Sequence, residues 1–252
     1  MELTGAETPT LLEGDAPVLS GEALSLASGE GDGEGAAGDD GGFYLVGIIG
    51  GKDVGKSALV NALVGRDITA ITSHGPGTEQ VVAYAHASRA AALAKMLERE
   101  VPGRYRVVTH EEPHLVRQVL LDLPDIDSHW KGHLEVTRAM LRHMLYPVWV
   151  QSVEKYADRQ PQEMLARVAA GNAASNFVFC LNKVDQVESA GGNGAVPEAA
   201  KEIRGDFAAR IARTVGLEAP TDVFLISAIH PERYDLPRLR GLLSRQKTAY
   251  EM

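Results

Sequence analysis

The stretch Gly50-Gly-Lys-Asp-Val-Gly-Lys-Ser57 has the spacing G-x-x-x-x-G-K-[ST]. Its glycines let successive backbone N–H groups turn toward one point, and a helix starting at the lysine adds the positive end of its dipole there. Such a loop wraps phosphate oxygens. Lys56 is placed to bridge β- and γ-phosphate oxygens of a nucleoside triphosphate, and the Ser57 hydroxyl to ligate Mg²⁺. Gly50, Lys52, Asp53, Val54, Gly55, Lys56, Ser57 and Ala58 are therefore the candidate phosphate contacts. Two further groups close apolar runs: Asp122 after Val119-Leu-Leu, and Asn182-Lys-Val-Asp185 after Asn176–Leu181. Strand ends of this kind face the crevice in which open α/β sheets bind ligands.

Those positions demand particular elements around them. Phe43–Gly50 reads as a buried strand leading into the loop, and Gly55–Val64 as the helix leaving it. Val81–His86, Tyr105–Thr109, Val116–Leu123, Leu145–Gln151, Asn176–Leu181 and Val223–Ser227 read as further strands, with Pro147 weakening the fifth of the seven. Helices are expected at Ser88–Glu100 with Ser88 as N-cap, at Gln162–Ala170 and at Leu236–Leu243. Another is expected over Pro197–Val215, with Pro at its first position and Ala199, Ile203, Phe207, Ile211 and Val215 on one face. Strands alternating with helices predict an α/β fold in three layers, a mainly parallel sheet covered by helices on both faces. The helix and strand between Ser88 and Val116 are an addition, either a partner-binding excursion or an extension of the sheet edge.

The 252 residues suit one such domain, expected over 43–246. Residues 1–42 are rich in Gly, Ala, Ser, Asp and Glu and are expected to be a disordered acidic tail. The net charge of −9 belongs to that tail: ten of the 34 acidic residues precede Lys52, leaving 24 against 25 basic residues in the rest. No basic surface argues for nucleic acid, and no polybasic patch for an anionic membrane. A single cysteine, Cys180, set in an apolar strand, indicates a reducing compartment and a core position. With no signal peptide and no apolar run of transmembrane length, the expected location is cytoplasmic.

The order of these motifs resembles that of the translation-factor-like class of P-loop GTPases, which holds the Era-like and dynamin-like proteins. The resemblance runs from about Phe43 to Leu243. It implies that Asp185 accepts from the N1–H and exocyclic amine of guanine, that Asn182 braces the loop and that Lys183 lies over the base. Adenine lacks that donor pair and would leave the carboxylate unpaired, a cost of several kcal/mol. Ser227-Ala228 matches the element that touches the guanine carbonyl. Asp122 matches the aspartate that acts on Mg²⁺ through water. Thr78, in His74-Gly-Pro-Gly-Thr78, matches the switch threonine that binds Mg²⁺, with Thr69 and Thr72 as competitors. Lys56, Thr78 and Asp122 are then the catalytic candidates, and Ser57, Thr78 and Asp122 the metal ligands.

Three positions depart from that pattern. The family's D-x-x-G reads Asp122-Leu-Pro-Asp125, so a carboxylate stands where glycine normally offers its N–H to the γ-phosphate. That is tolerable only if the side chain turns away or meets a cation. Ile126 occupies the place of a water-orienting glutamine and cannot align water, so catalysis needs help from a homodimer partner across the nucleotide face, a monovalent cation, or a nearby Asp125, Asp127 or Ser128. Asp53 stands where potassium-using relatives carry Asn, which makes K⁺ a candidate cofactor. The expected activity is hydrolysis of GTP to GDP and phosphate as a switch moving Gly65–Gln80 and Asp122–His133, unassisted on the order of 10⁻⁴ to 10⁻² s⁻¹. The alternative is an assembly module that holds GTP or GDP without significant hydrolysis. A kinase would leave Asn182–Asp185 unexplained. His129 and His133, at i, i+4, lack the Glu or Cys of a zinc set and read as surface histidines. Gly191-Gly-Asn-Gly194 reads as a flexible loop.

Overall fold

The computed structural model describes residues 18–19, 42–68, 80–126, 131–170, 174–188, 196–218 and 222–245. Its centre is an eight-stranded sheet in the order β1-β4-β3-β5-β2-β6-β7-β8. The strands are β1 (Val18–Leu19), β2 (Tyr44–Ile49), β3 (Val81–His86), β4 (Tyr105–His110), β5 (Gln118–Asp122), β6 (Met144–Ser152), β7 (Val178–Asn182) and β8 (Val223–Leu225). The helices are α1 (Lys56–Val64), α2 (Ala90–Glu100), α3 (Lys131–Leu141), α4 (Arg159–Ala169), α5 (Glu198–Val215) and α6 (Leu236–Leu243).

The side-chain alternation of β2 explains the layering. Leu45 and Ile49 point to one face, where Leu93, Leu97, Val136, Met140, Leu165, Val168, Phe207 and Ile211 of α2–α5 close over them. Val46 and Ile48 point to the other, against Leu59 and Val60 of α1 and Leu236, Leu239 and Leu243 of α6. Both faces of the central strands are dry, so these strands read as unbroken apolar runs. The expected three-layer α/β architecture is what forms.

From β5 to β8 the strands pair in parallel, so β2, β5, β6, β7 and β8 all end on one rim. β3 pairs antiparallel with β5, and β4 pairs parallel with β3. The helix and strand added between Ser88 and Val116 therefore extend the sheet edge as a β3-α2-β4 crossover. β1 closes that edge, antiparallel to β4 through Val18–Val108 and Leu19–Val107. Of the segment 1–42 expected as a disordered acidic tail, Val18–Leu19 are described as strand, and residues 1–17 and 20–41 lie outside the described residues.

Three local expectations are corrected. Ser88 does not cap α2: a turn of 3₁₀ helix, Ala87–Arg89, comes first, and His86 caps it, its Nδ1 accepting from the Ser88 N–H at 3.2 Å. Pro197 sits at the N-cap of α5 rather than in its first turn, and the buried face carries Ala200, Phe207, Ala208, Ile211 and Ala212, with Ala199 exposed. Pro147 lies inside the interior strand β6. Pairing with β7 starts only at Val148, so the prolyl residue falls where β6 has β2 alone as neighbour. Among the described residues, no helix is long and apolar enough to cross a membrane.

Candidate functional site

The chain between β2 and α1 makes two tight approaches. A β-carbon on Gly50 would come within 2.5 Å of the Val150 carbonyl oxygen. Gly55, at φ 89°, has no room either, because Asn182 Nδ2 stands 2.4 Å from where its β-carbon would be. Asp53 also takes a left-handed conformation, φ 63°, which Asp tolerates better than most residues. The left-handed backbone at Asp53 and Gly55 leads the loop into the first turn of α1, and the N-terminal end of a helix favours an anion.

At that helix end Lys56 is buried. Its Nζ donates to the Gly51 carbonyl at 2.8 Å and forms an ion pair with the Asp125 carboxylate, which is buried as well. Of the two ways a carboxylate at position 125 could be accommodated, the chain uses the second: it meets a cation. Ser57 Oγ donates to Asp122 Oδ2 at 2.7 Å. Burial pushes the Asp122 carboxyl up, against the opposing pull of Lys56 and of the Ser57 hydrogen bond. Its other oxygen, Oδ1, is buried with no hydrogen-bond partner among the described residues. A buried carboxylate oxygen beside a serine hydroxyl is a donor set that suits a hard divalent cation or its water.

At the end of β7, Asn182 Nδ2 donates to the Val54 carbonyl at 2.9 Å, and its Oδ1 accepts from the Ala228 N–H at 3.1 Å. Lys183 follows at φ 65°, a left-handed backbone rare for a long side chain, and Asp185 opens onto Ser227, whose Oγ donates to Asp185 Oδ1 at 2.5 Å. The phosphate loop, the 182–185 loop and the 227–228 loop are thus joined by direct hydrogen bonds. Thr78 and its competitors Thr69 and Thr72 lie outside the described residues, as do Asp127, Ser128, His129 and Gly191–Gly194.

Ile126 turns its side chain into the core, 3% exposed, while its N–H reaches the Gly50 carbonyl at 3.4 Å. His133 was expected at the surface. It is instead buried, with Nδ1 3.1 Å from the Asp125 carbonyl oxygen, because α3 packs its first turn under the segment that carries Asp125. Cys180 and Trp149 are core residues, and burial pushes the Cys180 thiol far up.

Sequence reasoning missed the loop after β6. There Lys155 Nζ donates to the Lys52 carbonyl at 3.0 Å and lies 4.0 Å from the Asp53 carboxylate, while Glu154 pairs with Lys183 at 2.9 Å. It also missed a clamp behind the 182–185 loop, where Glu188 takes Arg233 at 2.6 and 2.7 Å and the Tyr234 hydroxyl at 2.9 Å. The position of Glu154 and Lys155 just past a parallel strand end was the available signal.

The sequence comparison decides the family. The family described as 50S ribosome-binding GTPase matches residues 45–183, more than half of the chain. This chain belongs to that GTPase family. It is a P-loop GTPase of the Era-like and dynamin-like class. The GTPase Era of Ehrlichia canis is 23% identical over 143 residues, 57% of this chain and 40% of that protein. The GTPase chain described here therefore spans about two fifths of the length of that relative. Among solved structures, a variant of Aquifex aeolicus Era bound to GDP and AlF₄⁻ has a TM-score of 0.53 at 18% identity, over 82% of this chain and 58% of that one. Toc33 of Arabidopsis thaliana with Mg²⁺ and GMPPNP has a TM-score of 0.54 at 12% identity, over 81% and 84%. These structural likenesses speak to the fold.

Proposed function

We propose that residues 43–246 bind guanine nucleotide with Mg²⁺ and hydrolyse GTP to GDP and phosphate as a slow conformational switch in the cytoplasm. The observation that carries this reading is Asn182, which ties the phosphate loop at Val54 to the 227–228 loop at Ala228. A phosphate cradle and a base-reading carboxylate are useful only at a fixed separation, and this amide sets it. In this reading the loop from Gly50 to Ala58 holds the phosphates, Lys56 neutralises them, Asp185 reads the guanine edge, Lys183 covers the base and Ser227-Ala228 faces its carbonyl. Ser57, Asp122 and Thr78 hold Mg²⁺, which when bound offsets the charge on the phosphate oxygens. The partnerless Asp122 Oδ1 beside Ser57 supports that placement.

With Ile126 packed into the core, the water-aligning group comes from elsewhere: a second copy docked across the nucleotide face, or K⁺ near Asp53. A second reading, a GTP- or GDP-holding module with negligible hydrolysis, is favoured by the same Ile126 and by the Asp125–Lys56 pair. Phosphate release from GTP by the purified chain separates them, measured with and without K⁺ over a range of protein concentration. A rate per chain that rises with protein concentration supports assisted hydrolysis by a dimer. No release above background in any condition rejects the enzyme and leaves the module.

A further inference from the structure

Resting on the guanine-nucleotide reading above, we propose that Asp125 is a built-in competitor of the γ-phosphate, which biases the site toward GDP and against GTP.

A lysine ammonium carries three N–H donors. Lys56 commits one to the Gly51 carbonyl at 2.8 Å and another to the Asp125 carboxylate. Its remaining donor suffices for a β-phosphate oxygen. A γ-phosphate needs a second donor from the same ammonium, and that donor is the one Asp125 holds. The two anions also repel each other across the short distance that a shared lysine imposes, in surroundings where charge is poorly screened.

Asp125 is not a side chain that swings away freely. Its residue is 7% exposed, its carbonyl oxygen lies 3.1 Å from His133 Nδ1, and the next residue is pinned through the Ile126 N–H to Gly50 and through the Ile126 side chain to the core. Moving the carboxylate off Lys56 leaves a buried anion without its counter-charge, unless the backbone at Asp125 moves and takes the first turn of α3 with it. A diphosphate demands none of this. The carboxylate thus acts as a specificity determinant for phosphate number, and its expulsion is the step by which a triphosphate would alter α3.

The test is equilibrium binding of GDP and of GMPPNP to the full chain in Mg²⁺, for wild type, Asp125→Asn and Asp125→Gly. Wild type should prefer GDP by about tenfold or more, and both variants should shift the ratio toward GMPPNP by about tenfold, a differential of about 1.4 kcal/mol. An unchanged ratio with GDP binding intact overturns the proposal. So does loss of GDP binding in both variants, because Asp125 would then be supporting the loop rather than competing for it. Wild type that binds neither nucleotide rejects the guanine-nucleotide reading itself, a result distinct from either of those.

Discussion

Asn182 and Gly55 are fitted to each other: the amide nitrogen of Asn182 occupies the space that any β-carbon at position 55 would need, 2.4 Å away, while donating to the neighbouring Val54 carbonyl at 2.9 Å. The contact spans 128 residues of sequence and fixes how far the phosphate loop stands from the end of β7. Distance between the two loops is therefore set by one side chain and one missing side chain.

Asn182→Ala should leave the buried Val54 carbonyl and the part-buried Ala228 N–H without their partner and cost about 1–3 kcal/mol of stability, most of it from the buried carbonyl. Gly55→Ala should be destabilising by a different route, a strained left-handed backbone plus the clash with Asn182. The double variant should cost less than the sum, because removing the amide relieves the clash and leaves only the backbone strain. Urea unfolding of the four proteins measures this. Additive losses would show that the two residues are independent.

Much of this pairing was legible in the sequence and part of it was not. The G-x-x-x-x-G-K-S spacing and the N-K-x-D order located both loops and the strands that carry them, because each motif needs a strand end and the apolar runs supply one. What no spacing reveals is a contact made by a residue with no fixed partner type. Lys155 reaching the Lys52 carbonyl, and His133 buried under Asp125, depend on how α3 and the loop after β6 pack, which is settled by tertiary fit. The Asp125 substitution was visible as an anomaly, but only the folded chain shows that its counter-charge is Lys56. Pro147 misled in the opposite sense: a proline usually marks an edge, yet here an interior strand accommodates it by starting its second pairing one residue later.

Ser57→Ala removes the hydroxyl proposed to hold Mg²⁺ and the hydrogen bond to Asp122 in one step. Nucleotide affinity in EDTA should change little, while the gain in affinity on adding Mg²⁺ should shrink by about tenfold or more, the equivalent of about 1.4 kcal/mol. Binding of a fluorescent GDP with and without Mg²⁺ reads the difference. An intact Mg²⁺ response would remove Ser57 from the metal site.

Asp185→Ala should cost guanine nucleotides about 2–4 kcal/mol while hardly changing the weak binding of ATP, because only guanine offers the paired donors that a carboxylate accepts. Competition of GTP and ATP for the labelled site gives the ratio directly. A parallel loss of both would mean that Asp185, which also accepts from Ser227 at 2.5 Å, shapes the loop without reading the base.

His110 gives a pH dependence whose sign follows from its surroundings. Burial, with His86, Arg66 and His114 nearby, pushes its imidazole from 6.5 down to about 4 in the folded chain. Between those values the unfolded chain binds more protons, so this contribution to stability is fully present above pH 6.5 and is lost as the pH falls toward 4. His110→Phe, which keeps a ring against Tyr84 but cannot titrate, should flatten the fall in urea midpoint between pH 6.5 and 4 relative to wild type. Identical slopes would mean that the imidazole is already wetted.

The reversal of direction at β3 has a consequence for how this molecule tolerates change. β3 and β4 finish at His86 and His110, on the rim opposite the one where β2, β5 and β7 deliver the phosphate loop, Asp122 and Asn182. The connection from β4 to β5 through Glu111–Arg117 is thus insulated from the phosphate-loop rim by the full length of the strands. A peptide grafted there would ride on the far side of the sheet, a handle by which the domain can be held or labelled while its working face stays clear.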